Sequence, residues 1–192
     1  MKNENKYRNI EPRDIMRYYV AYYDIEKNIV DAILNGKGEK KLEACHKYLH
    51  SYMGIGRNFK PNSSPMLLIT IENMLRNEGN LGVEVLSDRY VANGMASKPN
   101  IKNLQVAASK LLWLYNHETI IMDNNNMKIL KANNYKEFAF KWTELYNSKL
   151  LEIDKVIDTN FKKMDSIINE KWFKMRIFDM YLLSVYDETL IK

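Results

Sequence analysis

Lys110 lies in the run Leu104-Gln-Val-Ala-Ala-Ser-Lys-Leu-Leu-Trp-Leu-Tyr. On a helix its neighbours one turn away are Val106, Ala107, Trp113 and Leu114, all of them apolar. An amine in that position either snorkels from a core helix or is held in a pocket. In a pocket, desolvation favours its neutral form, the form that attacks an electrophilic carbon. Thirteen residues on, Asp123 follows Ile120, Ile121 and Met122. An apolar connector thus delivers a carboxylate to a helix start, where the helix dipole and unpaired N–H groups keep it ionised. The two residues together supply a nucleophile and a group able to stabilise a developing cation. The plainer alternative for the same pair is a snorkelling lysine and an N-cap.

Other constellations are less complete. Cys45, His46 and His50 fall on one expected helix, with the two His a four-residue step apart and His117 remote in sequence. They do not close a zinc site, and no metal is expected. The single cysteine excludes an intramolecular disulfide and any multi-cysteine zinc module, and it fits a reducing, cytoplasmic setting. None of the phosphate-binding, dinucleotide-binding, zinc-protease or nucleophile-elbow motifs occurs, so no cofactor is expected. None of the three His has an Arg within the seven preceding positions, which argues against a small ribonuclease. Glu39-Lys-Lys offers a carboxylate-x-lysine but no strand-borne partner. In Gly54-Ile-Gly-Arg57, two glycines around an aliphatic residue would let successive backbone N–H groups face a phosphate. Pro61 follows within five residues and prevents a second hairpin helix from starting directly, so a plain loop is the alternative.

Charge adds a direction. Lys and Arg number 29 and Asp and Glu 24, a net charge of +5. From Asp88 to Glu118 no acidic residue intervenes, while Arg89, Lys98, Lys102 and Lys110 are present. From Glu43 to Glu72 the same holds, with Lys47, Arg57 and Lys60. If these windows fold together they form a basic face around two loops, the footprint of phosphate contacts. Otherwise they are the solvated surface of a lysine-rich protein.

The elements that would position these residues read as helices. Within 192 residues, 46% hydrophobic with 13 Tyr, 6 Phe and 3 Trp, the chain can bury a sizeable core. Pro12 opens a helix whose apolar residues Ile15, Tyr18, Tyr22, Ile25, Ile29 and Ile33 recur at three- and four-residue steps until Gly36 and Gly38. Further helices are expected over 39–52, from an N-cap at Ser64 through 65–77, over 81–92, and over 103–115 as the central helix. Asp123 caps another through Ala132, and the last three span 135–147, 148–168 and 170–187. No alternating strand pattern of useful length appears, and Thr119 to Met122 reads as a short extended connector. No apolar run approaches the ~20 residues of a membrane span, and the N-terminus lacks a signal or transit pattern. The expectation is a single all-α domain of seven to nine helices over 1–192, acting as a monomer away from membranes.

Ala108-Ser109-Lys110-Leu-Leu-Trp, a short loop, then Ile120-Ile121-Met122-Asp123 resembles the lysine helix and aspartate turn of the 8-oxoguanine-type helix-hairpin-helix DNA glycosylases, in particular their compact bacterial branch. Arg176-Ile-Phe-Asp-Met-Tyr-Leu-Leu is similar to the closing helix of that branch, with Leu183 where a Trp is expected. The likeness covers residues 100–190. The glycine-rich turn that usually precedes the lysine is absent, since 100–105 contains no glycine.

The resemblance implies excision of a modified base from double-stranded DNA after base flipping. Lys110 would attack the sugar C1′, Asp123 would stabilise the sugar cation, and a Schiff base would allow strand cleavage at the abasic site. It further implies Trp172, Phe178 and Tyr181 as stacking residues and Asp179 as the reader of the base edge. Gly54, Gly56, Arg57, Lys60, Lys98, Lys102, Asn124 and Asn125 are expected at the DNA backbone. Oxidised guanine is the family's default target, and a hypermodified base of viral DNA, which would mean antiviral defence, is also open. The competing reading is a non-enzymatic all-α interaction or immunity module that binds a protein or nucleic acid.

Overall fold

The computed structural model describes residues 7–101 and 103–190, the last two as backbone only, so the DNA-backbone expectation at Lys102 lies outside the described residues. Nine α-helices occur among them: α1 Pro12–Ala21, α2 Lys27–Asn35, α3 Gly38–Lys47, α4 Ser64–Glu78, α5 Val83–Ala92, α6 Gln105–Trp113, α7 Asn124–Leu130, α8 Tyr135–Asn160 and α9 Lys171–Leu190. Two π-helical turns, Tyr22–Glu26 and Tyr48–Tyr52, lie between α1 and α2 and at the end of α3. Two 3-10 turns, Gly56–Asn58 and Ser166–Asn169, complete the set. No strand is found among the described residues, only one antiparallel bridge from Phe59 to Ala96. The all-α class is therefore observed, and no helix is long and apolar enough to cross a membrane among the described residues.

The chain divides into two compact units. One, the split unit, takes the chain up to Tyr22 and again from Asp123 onward; the other, the continuous unit, is Tyr23–Met122.

In the split unit α1 packs on α9, which also contacts α7 and α8. Helix α9 turns most of its middle into the core, where Phe173, Ile177, Phe178, Tyr181 and Leu182 are all fully buried. Rings interlock around it, Tyr18 on Phe173 at 4.7 Å and Trp142 on Phe178 at 5.1 Å. Arg8 forks onto Asp14 with both contacts at 2.7 Å, and the same carboxylate accepts the N–H of Glu11 at 2.9 Å, which fixes the start of α1. The breaks expected at 147 and 148 do not occur. No Gly or Pro falls within α8, and its polar Asn147-Ser148 pair is absorbed because the Ser148 hydroxyl donates back to the Leu145 carbonyl at 2.7 Å. α8 ends at Asn160 rather than 168.

In the continuous unit α2 packs on α3, α3 on α4, α4 on α5 and α5 on α6. Helix α4 starts one residue earlier than expected, with Ser63 at the N-cap and its carbonyl accepting from Leu67 at 3.0 Å. Helix α6 is buried at every position from Ala107 to Trp113, as the apolar run predicts. Its entry is tied to α5 through the Leu104 N–H, which donates to Ser87 Oγ at 2.7 Å.

Candidate functional site

Lys110 is 6% exposed, on the most buried helix of the continuous unit. Its Nζ donates to the Met53 carbonyl at 3.2 Å, and its own carbonyl accepts from the Tyr48 hydroxyl at 2.7 Å. Both partners belong to the end of the helix that begins at Gly38. There the Met53 N–H closes the π turn on Tyr48 O at 2.8 Å, and the Ile55 N–H reaches back to Leu49 O at 2.8 Å. Gly54 makes that second bond by adopting φ +63, a left-handed conformation that favours glycine. The expected phosphate cradle is thus in part a helix stop, because the N–H groups of Met53 and Ile55 are spent on their own helix.

Beside Lys110, the buried Ser109 hydroxyl donates to Val106 O at 2.9 Å and accepts the Met122 N–H at 3.0 Å. That pair of bonds satisfies a hydroxyl inside an apolar core and anchors the extended connector at its last residue. Asp123 follows as the first residue of the split unit after the connector. It is half-buried, and its Oδ1 accepts the Asn125 N–H at 2.9 Å, which makes it the N-cap of α7. Asn124, Lys128, Lys131 and Asn133 border an open depression of about 600 Å³ along this helix.

The two acid-free windows meet. Phe59 pairs with Ala96, the Lys60 N–H donates to Met95 O at 3.0 Å, and the Ser97 N–H donates to Asn58 O at 2.9 Å. Arg57, Lys60 and Lys98 are exposed on these stitched loops. Gly94, at φ +65, turns the second loop, and a side chain there would meet Lys60 Nζ at 3.7 Å. Gly56 has a different reason to be glycine: a Cβ would lie 2.2 Å from the His50 imidazole, which rests on it. His46 and His50 stack at 4.2 Å on the surface, and among the described residues no group of three or more metal-ligating side chains forms.

The residues expected to line a base pocket meet a packed core instead. Phe178 and Tyr181 are fully buried, and the Tyr181 hydroxyl donates to Arg8 O at 2.6 Å. Asp179 is buried too, with Oδ1 accepting from Trp142 Nε1 at 2.9 Å and Oδ2 from Arg176 at 2.8 Å, so both oxygens are committed. Burial pushes its carboxyl up to about 6, against the pull of Arg176 and Trp142. Trp172 is half-buried and packs on Tyr22 at 5.4 Å.

Sequence reasoning missed Glu26, which is fully buried, and Tyr52, whose hydroxyl donates to it. His117 stacks on Trp113 at 4.5 Å; burial lowers its pKa and the Glu26 carboxylate opposes that. A signal for Glu26 existed: it stands four residues after Tyr22 and three before Ile29, both on the apolar stripe. No family model, curated protein or solved structure matches this chain.

Proposed function

We propose that the protein is a DNA glycosylase that removes a modified base from duplex DNA, with Lys110 as nucleophile and Asp123 as the carboxylate facing the developing sugar cation. One observation carries the reading most: the stitched loops gather Arg57, Lys60 and Lys98 on the unit that buries Lys110, and the lysine's amine is held at the root of the first of those loops. Cations on paired loops suit phosphates, and a desolvated amine suits attack on carbon.

In the step proposed, the neutral Lys110 nitrogen bonds to C1′ as the glycosidic bond breaks. The electron pair leaves with the base, and the proton shed by the attacking nitrogen neutralises that base. Ring opening then gives an imine, from which elimination cleaves the strand. The target class is an oxidised or hypermodified base. Phe178, Tyr181 and Asp179 have no part in the proposal, since they are occupied in the core.

A second reading, a non-enzymatic interaction module, draws on the same lysine. An ammonium donating to the last carbonyls of a helix is a stabilising cap, because the helix end carries partial negative charge.

Borohydride trapping decides between them. Across duplexes holding oxidised, alkylated and hypermodified bases, wild-type protein should form a covalent adduct on at least one. Lys110→Gln should abolish it while keeping fold and DNA affinity, and Asp123→Asn should bind but release base slowly. Base release that persists in Lys110→Gln would mean a water-using glycosylase with Asp123 as its base. Base release robust in both variants, or loss of folding in both, would remove the assignment.

A further inference from the structure

We infer that Glu26 is a positioning residue for Lys110, acting through the Tyr52 hydroxyl and the Met53 carbonyl. The inference rests on the reading of Lys110 as nucleophile, but its geometry lies wholly within the continuous unit. Glu26 ends one π turn and is 0% exposed. A carboxyl group taken out of water needs hydrogen-bond partners in place of those it loses. Tyr52, the last residue of the other π turn, supplies one such partner.

Met53 comes next in the chain. Its N–H is fixed on Tyr48 O at 2.8 Å, and the left-handed Gly54 turns the backbone away immediately after it. The Met53 carbonyl therefore lies beyond the last helical turn, and Lys110 Nζ donates to it at 3.2 Å. Tyr48, at the start of the same π turn, donates its hydroxyl to the Lys110 carbonyl at 2.7 Å. The five-residue turn thus grips Lys110 at its main chain, the residue that follows the turn grips its amine, and Glu26 grips the turn at Tyr52. Single π turns inside α-helices recur at functional sites. Here two of them are joined by a side-chain hydrogen bond with the candidate nucleophile at its far end. A nucleophile must wait close to its attack position, since a misplacement of about 1 Å can cost ~100-fold in rate.

The test uses the full chain labelled with 15N-lysine in acidic buffer, which keeps lysine amines protonated, observing ammonium groups by 1H–15N correlation and identifying the Lys110 signal by its loss in Lys110→Arg. In wild-type protein that signal should be resolved and slow to exchange. In Tyr52→Phe, which keeps the ring, it should shift and exchange about fivefold faster, the factor expected for one lost hydrogen bond. Glu26→Leu should do the same, whereas Glu26→Gln, which still accepts from Tyr52, should restore slow exchange. A Lys110 ammonium that exchanges as fast as surface lysines in wild type, or one unmoved in a folded Tyr52→Phe, overturns the inference.

Trapping separates this from the glycosylase reading. Where wild type traps, Tyr52→Phe should slow trapping by about tenfold at unchanged DNA affinity, and an unslowed rate counts against the inference. Where wild type traps nothing, the glycosylase reading fails, and the ammonium signal alone decides whether Glu26 holds Lys110.

Discussion

Asp179 accepts from Arg176 and Trp142 inside the core of the split unit, and that double engagement makes it a stability residue. Replacing it with Asn should destabilise the protein by about 1–3 kcal/mol, because one of its two accepting oxygens becomes an NH2 that faces the N–H of Arg176 or Trp142; urea unfolding at pH 7 measures this. The pH dependence has a definite sign. The folded carboxyl titrates at about 6, above its ordinary value, so the folded state binds the extra proton. Its contribution is fully present below about pH 4 and is lost as pH rises through about 6. Wild type should therefore gain on Asp179→Asn as pH falls from 7 to 4, by up to roughly 3 kcal/mol at 1.36 kcal/mol per pKa unit. A gap that narrows instead would contradict the assignment. The burial of Lys110 was legible from its neighbours at three and four residues, since those positions alone decide which face a helical residue occupies. The core place of Asp179 was not, because its compensating donors Trp142 and Arg176 lie 37 and 3 residues away and nothing local to the motif announces the first of them.

Helical spacing located most of the elements, and where it failed the cause is geometric. Along the first run the apolar stripe assigns Ile25 to the core, yet Ile25 is 43% exposed and Glu26 is 0%. The π turn Tyr22–Glu26 takes in one more residue than an α turn, so the buried face moves on by one position. No residue in Tyr-Tyr-Asp-Ile-Glu advertises that insertion; the place of Glu26 between Tyr22 and Ile29 signals burial, but its partner Tyr52 lies 26 residues on and no local spacing shows the pair. Gly36 ends α2, as the spacing predicts, and nothing larger fits there. A Cβ there would stand 2.1 Å from the Ala32 carbonyl oxygen, which itself accepts the Gly36 N–H at 3.1 Å. Backbone cannot step aside without uncapping α2, so Gly36→Ala should lower stability by about 1–3 kcal/mol. Gly56→Ala meets only the exposed His50 ring, which can rotate, and should cost well under ~1 kcal/mol. Thermal unfolding of the two variants side by side checks the contrast.

For the molecule as a whole, the acid-free windows showed where cations would collect, but not that a bridge at Phe59 and Ala96 would join them. Sequence windows report charge, whereas pairing between loops depends on the packing beneath. If the face binds duplex DNA, affinity should fall steeply with salt. Neutralising Arg57, Lys60 or Lys98 to Gln should each lower the slope of log affinity against log salt by about 1, by removing one counterion-releasing contact. A slope unchanged in all three would take away the electrostatic basis of the proposal. The division into units was not legible either, since no Gly-, Pro- or Ser-rich linker marks residues 22 or 123. It has a consequence in time. Arg8 touches Glu188 across 180 residues of chain, whereas the continuous unit closes on itself between Tyr23 and Met122. During synthesis α1 emerges before the continuous unit but must wait for α9, made after it, and chain closure over that span is slow because its entropy must be lost before any contact rewards it. Pulsed hydrogen exchange during refolding should therefore find the amides of α3 to α6 protected before those of α1, and simultaneous protection would show that the two ends meet by another route.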